Sequence, residues 1–169
     1  MGELKLLGAG LLVVALDLRL NGVDFLADVV GWVMAIVALL SLAKLHGGFL
    51  VAAFAAGVGL VAWAANPWLG VDQDVAATAE TVAQTVLVFA SCTALMALVP
   101  PQRRTADQIR WWDLGLAVLA TALGWALEGT DDGAAFLVLL LIVPVLGVYI
   151  WFLVLLFRCA NEEPAAASA

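Results

Sequence analysis

The stretch Ala134-Ala-Phe-Leu-Val-Leu-Leu-Leu-Ile-Val-Pro-Val-Leu-Gly-Val-Tyr-Ile-Trp-Phe-Leu-Val-Leu-Leu-Phe157 holds no charged side chain. As an α-helix it would be about 36 Å long at 1.5 Å per residue, more than the roughly 30 Å of a bilayer's hydrocarbon core. Such a helix is apolar on every face, and a water-soluble fold could keep it only by burying it all round. The rest of the chain offers too little polar material for that. Of 169 residues, 65% are hydrophobic and 12% charged, with a mean hydropathy of +1.09. A soluble domain carries about 45–50% apolar and about 25% charged residues. The chain therefore reads as an all-α polytopic membrane helix bundle. A soluble globular domain, a disordered chain and a disulfide scaffold are excluded.

Working outward from that run, five more segments qualify as spans. In order, the six are roughly Leu4–Leu20, Phe25–Leu45, Gly48–Ala65, Val75–Val99, Trp111–Leu127 and Ala134–Phe157. Breakers separate them: Asn21-Gly22, Gly47-Gly48, Asn66-Pro67, Pro100-Pro101 and the Gly129–Gly133 stretch. The residue before a proline avoids the helical region, so Asn66-Pro67 is expected to end the third span. Residues 1–159 form one transmembrane domain, and 160–169 a flexible cytoplasmic tail. Asp17 and Arg19 interrupt the first run where a small-residue cleavage site would stand, which speaks against a cleaved signal peptide.

Charge sorting sets the orientation. Lys5, Lys44, Arg103, Arg104, Arg110 and Arg158 fall at the N-terminus, the 2–3 and 4–5 loops and the C-terminal end. In a six-span chain all these places share one side. Arg19 alone is left opposite, among Asp17, Asp24, Asp28, Asp72, Asp74, Glu80, Glu128, Asp131 and Asp132. Both termini are expected in the cytoplasm (N-in/C-in), with an acidic outer face. A five-span or seven-span count would break this sorting. The Ala-, Val-, Leu- and Gly-rich composition, with only two lysines, points to a bacterial gene of high GC content, and the expected location is a bacterial inner membrane. Two halves of three spans could form an inverted repeat, but the Asp24–Trp32 and Asp107–Gly115 stretches share only a loose similarity.

The net charge of −7 argues against nucleic acid as a partner, since that needs a basic face. His46 is the only histidine, which excludes a haem held by two histidines of this chain and a zinc site of several. No cofactor and no metal are expected. Cys92 and Cys159 form no C-x-x-C and are expected at different depths, without a disulfide.

Charged and polar groups within spans are costly, about 2.5–3.5 kcal/mol for a mid-helix charge, and face protein or water. The first cluster is Asp17-Leu-Arg19-Leu-Asn21-Gly22-Val-Asp24-Phe-Leu-Ala-Asp28, at the junction of spans one and two. Asp24 and Asp28 are four apart and share a helix face. Asn21-Gly22 supplies the reversal, and Asn21 or Asp24 can cap the next helix. One reading is a solvated, capped hairpin with a local ion pair. The other is a carboxylate cluster forked by Arg19, for a cation, a proton or a polar ligand. The pattern Asp-x-Arg-x-Asn-Gly-x-Asp, then Asp-x-x-Gly and an apolar helix, resembles a stretch in a group of small multi-pass bacterial membrane proteins of unknown activity. It covers Asp17–Gly31, with Ala27 where that group would have proline, and implies a shared junction but no activity. Asn21, Asp24 and Asp28 fall one residue short of the Asn-x-x-x-Asp-x-x-x-Asp of membrane prenyltransferases. The Asp-Gly…Ala-Arg box of CDP-alcohol phosphotransferases is absent.

The second cluster lies on span four. Glu80 and Gln84 are one turn apart, Ser91 continues their face, and Thr78, Thr81, Thr85 and Cys92 line an adjacent one. Glu80 needs a partner, a water-filled vestibule or a proton, and Arg19 is expected to approach Glu80, Asp17 or Asp28. On span six, Pro144 and Gly147 mark either a tolerated kink or an opening beside a cavity. The small residues of span three suit a central packing helix or a dimer face. Trp32, Trp63, Trp68, Trp111 and Trp112 read as interfacial anchors.

The function expected first is a small transporter or solute-binding membrane subunit. Its acidic outer site would comprise Asp17, Arg19, Asn21, Asp24, Asp28, Glu80 and Gln84 and take a small molecule or cation. Length and topology are similar to the substrate-binding subunits of energy-coupling-factor transporters. The second reading is a non-catalytic accessory subunit, with a membrane-protein partner or as a homo-oligomer in the lipid bilayer. The third is a membrane enzyme on a lipid or isoprenoid, with Glu80 as an acid as in terpene cyclases. No nucleophile set, phosphate loop or metal-ligand run supports catalysis.

Overall fold

The computed structural model describes residues 2–16, 25–70, 72–127 and 134–162. Among these the fold is all-α. The helices are α1 (Gly2–Leu16), α2 (Phe25–Leu42), α3 (Gly47–Leu69), α4 (Gln73–Leu98), α5 (Arg103–Leu127) and α6 (Ala134–Asn161), with a short 3-10 turn at Pro100–Gln102 before α5. Three helices contain stretches long and apolar enough to cross a membrane, at Gly47–Ala64, Asp74–Leu98 and Leu140–Asn161. The shorter Val29–Leu42 is equally apolar in kind.

Each helix packs on its neighbours in the chain, and α1 closes the circuit on α6. Neighbours run antiparallel: Gly10 faces Gly31, Gly48 faces Ala90, and along α1 and α6 Gly8 meets Phe157 while Leu11 meets Tyr149. Small residues permit these approaches. A methyl group on Gly10 would lie 2.8 Å from the Gly31 carbonyl oxygen, and one on Gly48 would lie 2.8 Å from the Ala90 carbonyl oxygen. Between apolar helices in lipid there is no hydrophobic gain to draw them together, so this close backbone fit is the cohesive term. Across the α1–α6 seam the Tyr149 hydroxyl donates to the Leu11 carbonyl at 2.8 Å.

Antiparallel order gathers Lys5, Lys44, Arg103, Arg104, Arg110 and Arg158 at one end of the bundle. Asp72, Asp74 and Glu80 lie at the other. The contiguous core includes Leu4, Leu7 and Leu11 of α1, Trp32, Leu39 and Leu42 of α2, Phe49, Ala52 and Ala56 of α3, Leu87, Val88, Cys92 and Leu95 of α4, Ala106, Ile109 and Leu116 of α5, and Val148, Phe152, Leu155, Leu156 and Cys159 of α6. Among the described residues, Ala62, Ala76 and Ala83 are buried outside this core. On α6, every residue from Ile142 to Gly147 is exposed. That stretch has Pro144 inside a continuous helix and contributes no residue to the buried core.

Several expectations are corrected. The Asn66-Pro67 pair does not end α3, which continues to Leu69. A proline this near a helix end costs one backbone hydrogen bond, and Gly70, at φ +63°, supplies the left-handed residue that stops the helix. Gly47-Gly48 lies within the first turn of α3, where the His46 ring Nδ1 accepts from the Gly48 N–H at 3.0 Å. Arg103, Arg104 and Arg110 are helical, because α5 begins eight residues before Trp111. The proline turn hands the chain directly to a helix whose Asp107 and Arg110 pair one turn apart. Trp32 is no interfacial anchor: it is 2% exposed, packed on the bare backbone of Gly59. Cys92 and Cys159 are free, and both are buried in the core. The small-residue side of α3 is a packing surface, with Ala52, Ala53, Ala55 and Ala56 buried.

Candidate functional site

Of the expected site residues, Asp17, Arg19, Asn21 and Asp24 lie outside the described residues, and with them the proposed contact of Arg19 with Glu80, Asp17 or Asp28. Asp28 falls in the first turn of α2, which begins at Phe25; the expected cap at Asn21 or Asp24 lies outside the described residues. Glu80 and Gln84 are placed by α4, whose start is capped by the Asp72 carboxylate accepting from the Asp74 N–H at 2.9 Å. Glu80 is about 10 Å along the helix from Gln73 at 1.5 Å per residue.

The burial pattern of α4 shows which way these side chains face. Ala76, Ala83, Leu87, Ser91 and Ala94 are buried, at helical spacing, and Glu80 falls within that row. Gln84, Val88, Ser91 and Leu95 form the adjoining row, again buried below Gln84. Both Glu80 and Gln84 are half-buried at the middle of the inward arc of α4. The threonine face is separate: the hydroxyls of Thr78, Thr81 and Thr85 donate to the carbonyls of Asp74, Ala77 and Thr81 at 2.7, 2.9 and 3.0 Å. They are satisfied within their own helix and need no ligand. Thr81 and Thr85, with Leu114, Ala117 and Thr121 of α5, border a shallow apolar groove of about 400 Å³.

A second polar constellation, at the basic end, escaped the sequence reading. Arg110 was counted there only as a loop charge. Its Nη2 is 2.6 Å from Asp107 Oδ1, and its Nη1 donates to Thr93 Oγ1 at 3.4 Å. The guanidinium carbon lies 5.2 Å from the centroid of the Phe89 ring and 5.6 Å from that of Trp111, and the two rings meet edge to face at 5.8 Å. Both distances are within the range of cation–π attraction. Asp113, one turn beyond, has a buried carboxylate oxygen with no hydrogen-bond partner among the described residues, and Arg110 Nε is in the same condition. The signal available in sequence was Asp107-x-x-Arg110-x-x-Asp113, three charges on one helix face. Its partners Phe89 and Thr93 come from α4, and spacing along α5 cannot reveal them.

Among the described residues no group of three or more His, Cys, Asp or Glu side chains could hold a metal ion. Comparison with protein-family models, curated proteins and solved structures finds no match to this chain.

Proposed function

We propose that this chain is a small transporter or solute-binding membrane subunit, with six spans, both termini in the cytoplasm of a bacterium, and an outward site for a cation or polar solute. The observation that carries this reading is the inward arc of α4. Along it Leu87, Val88, Ser91, Cys92, Ala94 and Leu95 are fully buried, and Glu80 and Gln84 stand half-buried on the same arc toward the acidic end. A carboxylate half-buried in an apolar bundle is costly, and function is the commonest reason for keeping one. The exposed stretch Ile142–Gly147 of α6 fits an entrance on that side. Asp28, Asp72 and Asp74 would draw cations toward it, and the junction residues Asp17, Arg19, Asn21 and Asp24 would complete its rim.

Cysteine accessibility tests the geometry. In a background lacking Cys92 and Cys159, Glu80→Cys and Gln84→Cys are treated with a membrane-impermeant maleimide in intact cells and in inverted vesicles. Labelling from the outside alone supports the reading, and protection of both positions in both preparations overturns it. Native mass spectra of protein gently extracted from its own host then test for a bound small molecule that Glu80→Gln abolishes.

One observation favours the accessory-subunit reading. The outer face of α3 carries Phe54, 71% exposed, with Val58 and Val61. It borders an apolar groove of about 700 Å³ shared with α2 and α4. A second polypeptide in fixed stoichiometry in the same spectra would move that reading to the front.

A further inference from the structure

The basic end holds a cleft of a different character from the lipid-facing grooves. Its volume is about 520 Å³, and it is bordered by Met96, Pro100, Pro101, Arg103, Arg104 and Arg110, with Asp107 the single carboxylate on its wall. Sequence creates this charge imbalance. Pro100-Pro101 ends α4 and forces the 3-10 turn, so α5 must begin at Arg103-Arg104. The first turn of a helix ordinarily favours acids, because its free N–H groups carry partial positive charge. The first turn of α5 has no acid and two arginines. The two effects add, and the potential at the mouth of the cleft is positive beyond what the side chains alone supply.

Asp107 pairs with Arg110 Nη2 and offsets that one charge, which leaves the charges of Arg103 and Arg104 uncompensated. Arg110 is held in place on three sides, by the Phe89 and Trp111 rings and by Thr93. Its Nε is buried and lacks a partner among the described residues. Asp107 and Thr93 each engage one of its terminal nitrogens, which leaves a second N–H on each for an anion, and a guanidinium fixed in advance loses little freedom on binding one. Arg103 and Arg104 are exposed and can close over such a group. The next residues on α5, Trp111 and Trp112, are 55% and 60% exposed, as aromatic side chains at headgroup level are. From Arg103 to Arg110 the helix advances about 11 Å, which suits a segment crossing the interfacial layer before the apolar part begins.

We infer that this cleft binds a phosphate group, carried by an anionic phospholipid on the cytoplasmic side or free in solution. The assignment rests on the membrane reading for its lipid source but not on the Glu80 site, which lies at the opposite end.

The test uses the full-length protein, delipidated in a neutral detergent. In one arm, phosphatidylglycerol and phosphatidylcholine are titrated and bound lipid is counted by native mass spectrometry. In the other, melting temperature is followed as inorganic phosphate replaces chloride at constant ionic strength. Wild type is compared with Arg103→Ala/Arg104→Ala, whose exposed side chains leave the fold intact, and with the charge-matched control Lys44→Ala/Arg158→Ala from the same end. Each arginine near an anionic headgroup is worth roughly a fivefold change in binding, so the pair should weaken phosphatidylglycerol about 25-fold. Phosphatidylcholine and the control variant should show no such change. Selective lipid binding with no response to inorganic phosphate assigns a lipid headgroup. A phosphate-dependent rise in melting temperature that the Arg103/Arg104 variant loses assigns free phosphate. Equal binding of the two lipids with no phosphate response, or an equal loss in the control, overturns the proposal.

Discussion

Gly10→Ala should destabilise the bundle although alanine is the better helix former. The added methyl carbon would stand 2.8 Å from the Gly31 carbonyl oxygen, 3.0 Å from the Ala35 nitrogen and 3.0 Å from the Met34 Cβ. Two of these neighbours are backbone and the third is fixed to it, so no side chain can rotate away. Restoring an ordinary separation of 3.4 Å requires α1 and α2 to part by roughly 0.6 Å at this point. A gap of that size forfeits a quarter to a half of each atom-pair attraction, which is itself about 0.1–0.2 kcal/mol. At the middle of both ranges, over roughly 50 pairs along the seam lined by Leu7, Leu11, Ala35 and Ala38, the loss is about 2–3 kcal/mol. The helix-propensity gain of alanine over glycine returns about 1 kcal/mol. The net is about 1–2 kcal/mol, or a fall in melting temperature of about 3–6 °C for a chain of this size. Gly57→Ala and Gly115→Ala are the internal controls, since nothing lies within 4 Å of a methyl at either position. They should be neutral or raise the melting temperature. Thermal unfolding of the three variants in one detergent reads the difference. If Gly10→Ala melts no lower than Gly115→Ala, the close approach of α1 and α2 is wrong.

Other substitutions probe single contacts. Tyr149→Phe removes the hydroxyl that donates to Leu11 at 2.8 Å, and should cost about 1 kcal/mol in the same melting assay, the Leu11 carbonyl keeping its place in α1. His46→Ala deprives the Gly48 N–H of its acceptor and should cost about 0.5–1 kcal/mol, as loss of a cap does; asparagine at position 46, a good capping residue, should recover part of it. Asp107→Asn removes the carboxylate of the basic cleft. It should tighten phosphate or phosphatidylglycerol binding about two- to fivefold in the titrations above, by the same per-charge arithmetic; weaker binding would mean that Asp107 matters chiefly for holding Arg110.

Fold class and the major helices were legible in the sequence because they depend on quantities that add along the chain. An uncharged run has a length in ångströms whatever surrounds it, and the run that ends at Phe157 leaves a helix no other course. Pro100-Pro101 separates α4 from α5 for an equally local reason. The inward placement of Glu80 was readable too, since its spacing from Ala76, Ala83 and Leu87 sets an angle about the helix axis. Local rules were less secure where two effects competed, and at Pro67 the helix outlasted the proline by two residues.

What the tertiary structure alone decided concerns pairs from different helices. Gly10 and Gly115 look alike in sequence, yet only Gly10 meets a neighbouring backbone. Trp32 and Trp111 both sit near aliphatic runs, yet Trp32 fills the space over Gly59 and Trp111 lies open beside Arg110. The cage around Arg110 joins α5 to Phe89 and Thr93 of α4, and the basic cleft exists because the ends of those helices converge. Periodicity tells how residues are arranged around one axis. It does not tell how far two axes approach or which turn meets which, because both follow from the packing of every helix against its neighbours at once.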